Sequence, residues 1–255
     1  MRFGWFGSTG RAKSLAMKTN VVVFGFLLLG WMGAVFQAAA ADPAPGVALA
    51  IVMDVSGSMG DSVRDANGQL APKSKIAHRA LEKIARQIEA ATTKSASGAA
   101  RKVQAGLLTF DGRPARTAVE FGPFDAEKLI AWARKSQRLG NGTRLGGALE
   151  AGVRMVLRSD LPRKHVLVIT DGMNNVGPDP AAVLPGLKRE AERKQAVFAV
   201  HFVAFDVADS VFNPVKKAGA TVVGAADEVQ LNARLADILQ HQILLEDEEP
   251  PVKKK

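Results

Sequence analysis

The sequence predicts an α/β protein: a doubly wound, mainly parallel sheet with helices on both faces and one short antiparallel edge strand. Three observations lead there. Short apolar runs rich in β-branched residues, such as residues 47–53 (VALAIVM) and 166–170 (VLVIT), alternate with segments of helical periodicity. These runs are continuously apolar rather than alternating, as strands are when both sheet faces are covered. Polar segments rich in Asp, Ser and Gly follow the runs directly, at Asp54 and again at Asp171. In an open parallel sheet that is where sites form.

The elements follow in order. Residues 47–53 are the first strand, and residues 54–72, rich in Ser, Gly, Asp and Asn, read as loop. Across residues 73–91, Ile76, Ala77, Ala80, Leu81, Ile84, Ala85 and Ile88 recur at i, i+3, i+4 spacing, which marks an amphipathic helix. Its Lys75, Arg79, Lys83 and Arg86 read as a solvated face. Residues 92–100 are loop, 103–110 a strand, and 118–121 a short edge strand after the turn Asp111-Gly112-Arg113-Pro114. Residues 125–135 are a short helix with Asp125 as N-cap. Gly140 and Gly142 break the chain before a helix over 145–157. A strand over 166–170 and a polar loop over 171–179 precede a helix over 180–194, expected to break near Pro185-Gly186. The order then runs strand 197–205, short helix 211–218, short strand 221–223 and final helix 227–244. Asp111 and Asp206 read as turn residues, and Asn174 and Asn175 as solvated loop residues.

Residues 1–41 read as a secretory signal peptide: basic residues, an apolar run over 21–36 and an alanine-rich end, with Met17 as an alternative start. An uncleaved N-terminal anchor is the alternative. The apolar run is shorter than the ~20 residues a spanning helix needs, and no second long run follows, so no membrane span is expected once the signal is removed. The product is expected to be exported, periplasmic or secreted. Residues 42–46 (DPAPG) form a linker, and residues 246–255 (EDEEPPVKKK) a charged tail expected to be disordered.

Composition narrows the function classes. The absence of cysteine excludes a disulfide framework, a thiol nucleophile and a zinc-thiolate site. The net charge of +9 is scattered, tyrosine is absent, and no basic stretch is interleaved with aromatics, so nucleic-acid binding is not expected. His78, His165, His201 and His241 are isolated and lack metal-ligand spacing such as HExxH; each reads as structural.

Three polar segments carry the chemistry: Asp54-Val55-Ser56-Gly57-Ser58-Met59 after the first strand, Asn141-Gly142-Thr143-Arg144-Leu145 before the third helix, and Thr170-Asp171-Gly172 at the end of VLVIT. Asp-x-Ser-x-Ser offers one carboxylate and two hydroxyls on alternate residues of one loop. Thr143 and Asp171 add a hydroxyl and a carboxylate. All are hard oxygen donors, suited to Mg²⁺, which takes six oxygens at ~2.1 Å and keeps several waters. Mn²⁺ could substitute, whereas zinc and copper favour His and Cys. The same residues also serve ordinary local roles: Asp54, Ser56 and Ser58 in a turn, Thr143 as an N-cap, Asp171-Gly172 as a turn.

DVSGSM, NGTRL and VLVITDG, in this order and spacing, resemble the von Willebrand factor A (VWA) domain, over residues 47–245. The resemblance implies its Rossmann-like fold and its metal-ion-dependent adhesion site (MIDAS). Ser56, Ser58 and Thr143 would then bind the metal directly, and Asp54 and Asp171 mostly through water. An Asp or Glu of a partner protein would complete the octahedron. The long loop over 61–72 departs from many relatives and is expected to border the site. The expected function is therefore a non-enzymatic, Mg²⁺-dependent protein-binding module. A metal-assisted hydrolase, phosphoesterase-like, and a metal-free scaffold with the same fold are the alternatives.

Overall fold

A computed structural model describes residues 46–93, 102–135 and 138–244. The expected signal segment, the linker before Gly46, residues 94–100 of the expected loop and the charged tail lie outside the described residues. In chain order the elements are β1 (Gly46–Asp54), β2 (Ser62–Arg64), β3 (Leu70–Pro72), α1 (Lys73–Thr93), β4 (Lys102–Phe110), β5 (Arg116–Pro123), α2 (Ala126–Ala133) and α3 (Leu145–Val156). They continue with β6 (Arg163–Thr170), α4 (Pro180–Arg193), β7 (Ala199–Phe205), α5 (Asn213–Lys217), β8 (Thr221–Ala225) and α6 (Glu228–Ile238).

The main sheet has the order β5-β4-β1-β6-β7-β8. Every pairing is parallel except that of the edge strand β5, which runs antiparallel to β4. The expected doubly wound sheet is thus what the chain forms. From β1 the chain first builds outward through β4 and β5, then returns to start β6 on the other side of β1. The switch point lies between β1 and β6, and the carboxyl ends of these strands deliver Asp54 and Asp171 to the crevice there.

β1 explains the two cores. It is buried along its whole length, and its side chains alternate between faces. Leu49, Ile51 and Met53 pack with Ile76, Leu81 and Ile84 of α1, Leu129 of α2 and Leu235 of α6. Ala48, Ala50 and Val52 pack with Leu149 and Val153 of α3, Leu184 of α4 and Val215 of α5. The small residues on the second face let α3 approach closely. A Cβ added at Gly152 would stand 2.9 Å from Val52 and 3.0 Å from Val166, so glycine is required by packing there.

Several boundaries differ from the sequence reading. Residues 54–72 are not all loop: a 3₁₀ turn over Gly57–Gly60 leads into the β2–β3 hairpin. Its turn is closed by Asp65, whose Oδ1 accepts the N–H groups of Asn67 and Gln69, with Gly68 at φ 76°. Only Val63 and Ala71 of the two strands are buried, too few for an apolar run to register. α4 continues through Pro185, because Leu184, Leu187 and Ala191 bury one continuous stripe. The last helix stops at Ile238 and closes with a π turn over Leu239–Ile243. Arg79 is not simply solvated: its guanidinium holds Glu228 of α6, whose carboxylate also accepts the Ala66 N–H of the hairpin turn. The expected N-cap is present, with Asp125 accepting the Lys128 N–H.

Candidate metal centre

Asp54 ends β1 with its side chain 1% exposed. One carboxylate oxygen accepts the Ser56 N–H at 2.7 Å, the Asx-type turn that reverses the chain after the strand. The other accepts the Thr170 hydroxyl at 2.6 Å, tying the end of β1 to the end of β6. Burial is the main influence on Asp54 and raises its pKa to about 6; the hydrogen bonds from Thr170 and Ser56 oppose it. A buried carboxylate held at this expense is suited to a cation that would stabilise its charged form.

The turn presents both serines on one side. Ser56 Oγ and Ser58 Oγ lie 3.2 Å apart. Ser58 Oγ donates to Asp171 Oδ1 at 2.8 Å, so the loops after β1 and β6 meet through their polar side chains. Asp54, Ser56, Ser58 and Asp171 therefore form one connected cluster.

Thr143 reaches the same place by a different route. Its loop is pinned from three directions: Gly140 N–H donates to Val55 O, Gly112 N–H to Asn141 O, and Arg144 N–H to Asp111 O. Asp111 is itself buried and held well below the usual carboxylate range, first by hydrogen bonds from the Arg113 side chain, with Arg116 adding to them. Asn175 Oδ1 accepts the Thr143 N–H at 2.7 Å, and Asn174 Oδ1 accepts the Gly146 N–H at 3.2 Å. The two asparagines are thus braces for the start of α3. Gly172 faces the result: a Cβ placed there would lie 3.6 Å from Thr143 Oγ1 and 3.9 Å from Ser58 Oγ. Both hydroxyls thus lie within 4 Å of one position beside a residue that has no side chain to obstruct it.

The donor set fits a small hard cation. Adjacent oxygens of an octahedron with ~2.1 Å bonds stand about 3 Å apart. Ser56 Oγ and Ser58 Oγ, two of the hydroxyls expected to bind directly, stand 3.2 Å apart, close to that value. Among the described residues no group of three or more His, Cys, Asp or Glu is placed to hold a metal, so the candidate centre depends on hydroxyls.

Lys73, the first residue of α1, was not among the expected site residues. Its side chain is 5% exposed, and Nζ lies 2.7 Å from Asp171 Oδ2, 3.3 Å from Asp206 Oδ2 and 3.8 Å from Asp61 Oδ2. Burial alone would lower its pKa, but the hydrogen bonds and charges of Asp171 and Asp206 outweigh it and raise the pKa above the ordinary lysine value. Asp206 is therefore more than a turn residue. Nothing in the spacing of Lys73, Asp171 and Asp206 along the chain foretells their meeting. His165 and His201, isolated in sequence, also meet: Nδ1 of one lies 3.1 Å from Nε2 of the other across β6 and β7. Burial is the main cause that lowers their pKa values, to about 3 and about 4.

A profile of the von Willebrand factor type A domain matches residues 49–174. No curated protein matches the chain. Among solved structures, the chain is similar to the PilB minor pilin from Streptococcus sanguinis, with TM-score 0.58 and 14% identity, over 77% of this chain and 61% of that one. It thus spans about three fifths of that pilin's length. It is also similar to the vWF domain of the type V pili tip protein Mfa5 from Porphyromonas gingivalis, with TM-score 0.55 and 15% identity over 77% and 94% of the two chains. A third likeness is to proximal thread matrix protein 1 from the mussel byssus, in a form with a zinc-occupied MIDAS motif: TM-score 0.56, 15% identity, 77% and 48% coverage. At such identities these likenesses are of fold.

Proposed function

The chain carries a von Willebrand factor type A domain, and on that footing we propose that it is an exported, non-enzymatic module that binds partner proteins through Mg²⁺ held by Asp54, Ser56, Ser58, Thr143 and Asp171. The observation that carries this reading is the joining of the β1 and β6 loops through the Ser58–Asp171 hydrogen bond, with Ser56 Oγ beside it. Ser56, Ser58 and Thr143 would hold the ion directly, and Asp54 and Asp171 would balance its charge through water. Bound there, the ion would supply an electrophilic anchor for an Asp or Glu of the partner. Mn²⁺ would serve in the same donor set.

Three features support a binding role over catalysis. A hydrolase needs a base or nucleophile beside the metal. Lys73 is kept charged by Asp171 and Asp206, which removes it as a base. His165 and His201 are bonded to each other rather than to any residue of the cluster. Met173, two residues beyond Asp171, is 64% exposed and offers an apolar contact to a docking protein.

Export rests on the signal peptide read in residues 1–41, and the domain would occupy residues 47–245. Among the described residues no helix is long and apolar enough to cross a membrane. Pilus proteins among the solved structures of like fold are in keeping with a place outside the cytoplasm. The test is capture of cell-envelope proteins on the immobilised chain. Capture in Mg²⁺ that is lost in EDTA and lost with Ser58→Ala is expected. Capture that survives both treatments would contradict metal-mediated binding.

A further inference from the structure

The candidate centre contains a cation of the protein's own. Lys73 Nζ sits 2.7 Å from Asp171 Oδ2, while the other oxygen of the same carboxylate accepts from Ser58. The lysine comes from the N-terminus of α1, and α1 is anchored independently: Ile76, Ala77, Leu81 and Ile88 are buried in the core. The Lys73 N–H donates to Asp61 O at 2.8 Å, closing the base of the β2–β3 hairpin. Asp206 approaches Lys73 from the end of β7, with backbone φ 53° and its N–H bonded to Ala225 O. The ammonium is therefore held in place, with three carboxylates within 4 Å of it.

We propose that Lys73 is a tethered counter-cation of the metal centre: it neutralises Asp171 when no metal is bound and, by its proximity, holds down the affinity for Mg²⁺. The inference rests on the metal reading above. Its physical basis is simple. A buried carboxylate without a partner is strongly destabilising, and a fixed ammonium removes that penalty. In the metal-free domain Asp171 Oδ2 accepts no well-directed hydrogen bond, and the ion pair with Lys73 is what balances its charge. A divalent cation that arrives beside the ammonium meets like-charge repulsion, and it finds one oxygen of Asp171 already engaged.

The site consequently binds metal weakly by itself and gains most when an anionic group of a partner completes it. This is a positioning role, because Lys73 acts through Asp171 and the charge balance rather than as a ligand. It also accounts for burying a lysine at the head of α1, a place where a helix favours acidic residues.

The experiment compares the wild type with Lys73→Met and Lys73→Arg, each expressed from the full sequence. Mg²⁺ binding is read by calorimetry, and thermal melts are run in EDTA and in saturating Mg²⁺. Lys73→Met is expected to bind Mg²⁺ more tightly, on the order of tenfold. It should also melt lower than wild type in EDTA, with most of that loss recovered in Mg²⁺. Lys73→Arg keeps the charge and should stay near wild type in affinity. A merely structural lysine would give equal losses in EDTA and Mg²⁺ with no gain in affinity, and that result overturns the inference. So does Lys73→Met binding Mg²⁺ as weakly as, or more weakly than, the wild type. The absence of Mg²⁺ binding in all three proteins, when folded, overturns the metal reading itself and this inference with it.

Discussion

Ser58 Oγ donates to Asp171 Oδ1 at 2.8 Å, joining two loops that are 113 residues apart in the chain. Each loop follows one of the two parallel strands that flank the switch point, so the bond spans the crevice where the strand order reverses. If a metal is held there, this contact is where the two halves of the ligand set meet. Ser58→Ala is expected to cost about 1 kcal/mol of stability in EDTA, the ordinary worth of one such bond. The larger effect should be loss of the rise in melting temperature produced by Mg²⁺. Thermal melts of the variant with Mg²⁺ and with EDTA read both.

Asp54 gives a prediction with an unusual sign. Burial holds its pKa at about 6 in the fold, against 3.8 in a free side chain. The folded state therefore binds the extra proton between those values, and this group's stability contribution is lost as pH rises through about 6. Asp54→Asn removes that loss. An asparagine can still accept the Ser56 N–H. In EDTA at pH 7.5 the variant should be as stable as the wild type or more so, by up to about 3 kcal/mol, and Mg²⁺ should no longer stabilise it. Urea unfolding at pH 5 and pH 7.5 checks the sign.

The His165–His201 pair predicts a separate acid limb. Both groups are held neutral, at about 3 and about 4 against an ordinary 6.5. The unfolded chain takes up protons first, so stability falls as pH drops below 6.5 and continues to fall toward the folded values. His201→Gln should flatten that limb by more than about 1 kcal/mol between pH 6.5 and 4.5. A limb as steep in the variant as in the wild type would show that this pair is not its source.

Gly146 tests how closely α3 is seated. A Cβ there would lie 2.0 Å from the Pro178 carbonyl oxygen, a backbone atom that cannot swing away. Alanine is the better helix former by about 1 kcal/mol, yet Gly146→Ala should lower stability by about 1–3 kcal/mol through overpacking. Because Thr143 lies three residues earlier on the same segment, Mg²⁺ affinity should fall as well. A variant that is stabilised would contradict this close approach.

The frame was legible in the sequence because it is written in local signals. The continuous apolar runs mark strands covered on both faces, and the spacing from Ile76 to Ile88 marks the buried stripe of α1. The DVSGSM turn declares itself directly after a strand, and its polar side chains do meet Asp171. What escaped depends on tertiary placement. Thr170 was visible as part of a polar segment, but only the β1–β6 pairing brings its hydroxyl to Asp54. Lys73 looks like one more cation at the edge of an amphipathic helix until the sheet places Asp171 and Asp206 around it. The β2–β3 hairpin hides because its register rests on Asp65, Gly68 and just two buried side chains. α4 overrides its proline because packing along Leu184, Leu187 and Ala191 outweighs one missing hydrogen bond.

The central claim is that the connected Asp54, Ser56, Ser58 and Asp171, together with Thr143, hold a divalent cation. Calorimetric titration of Mg²⁺ into the wild type and into Asp54→Ala tests it most directly. The account predicts one saturable site in the wild type and none in the folded variant. Equal binding by both proteins, or none by the folded wild type at millimolar Mg²⁺, would contradict it.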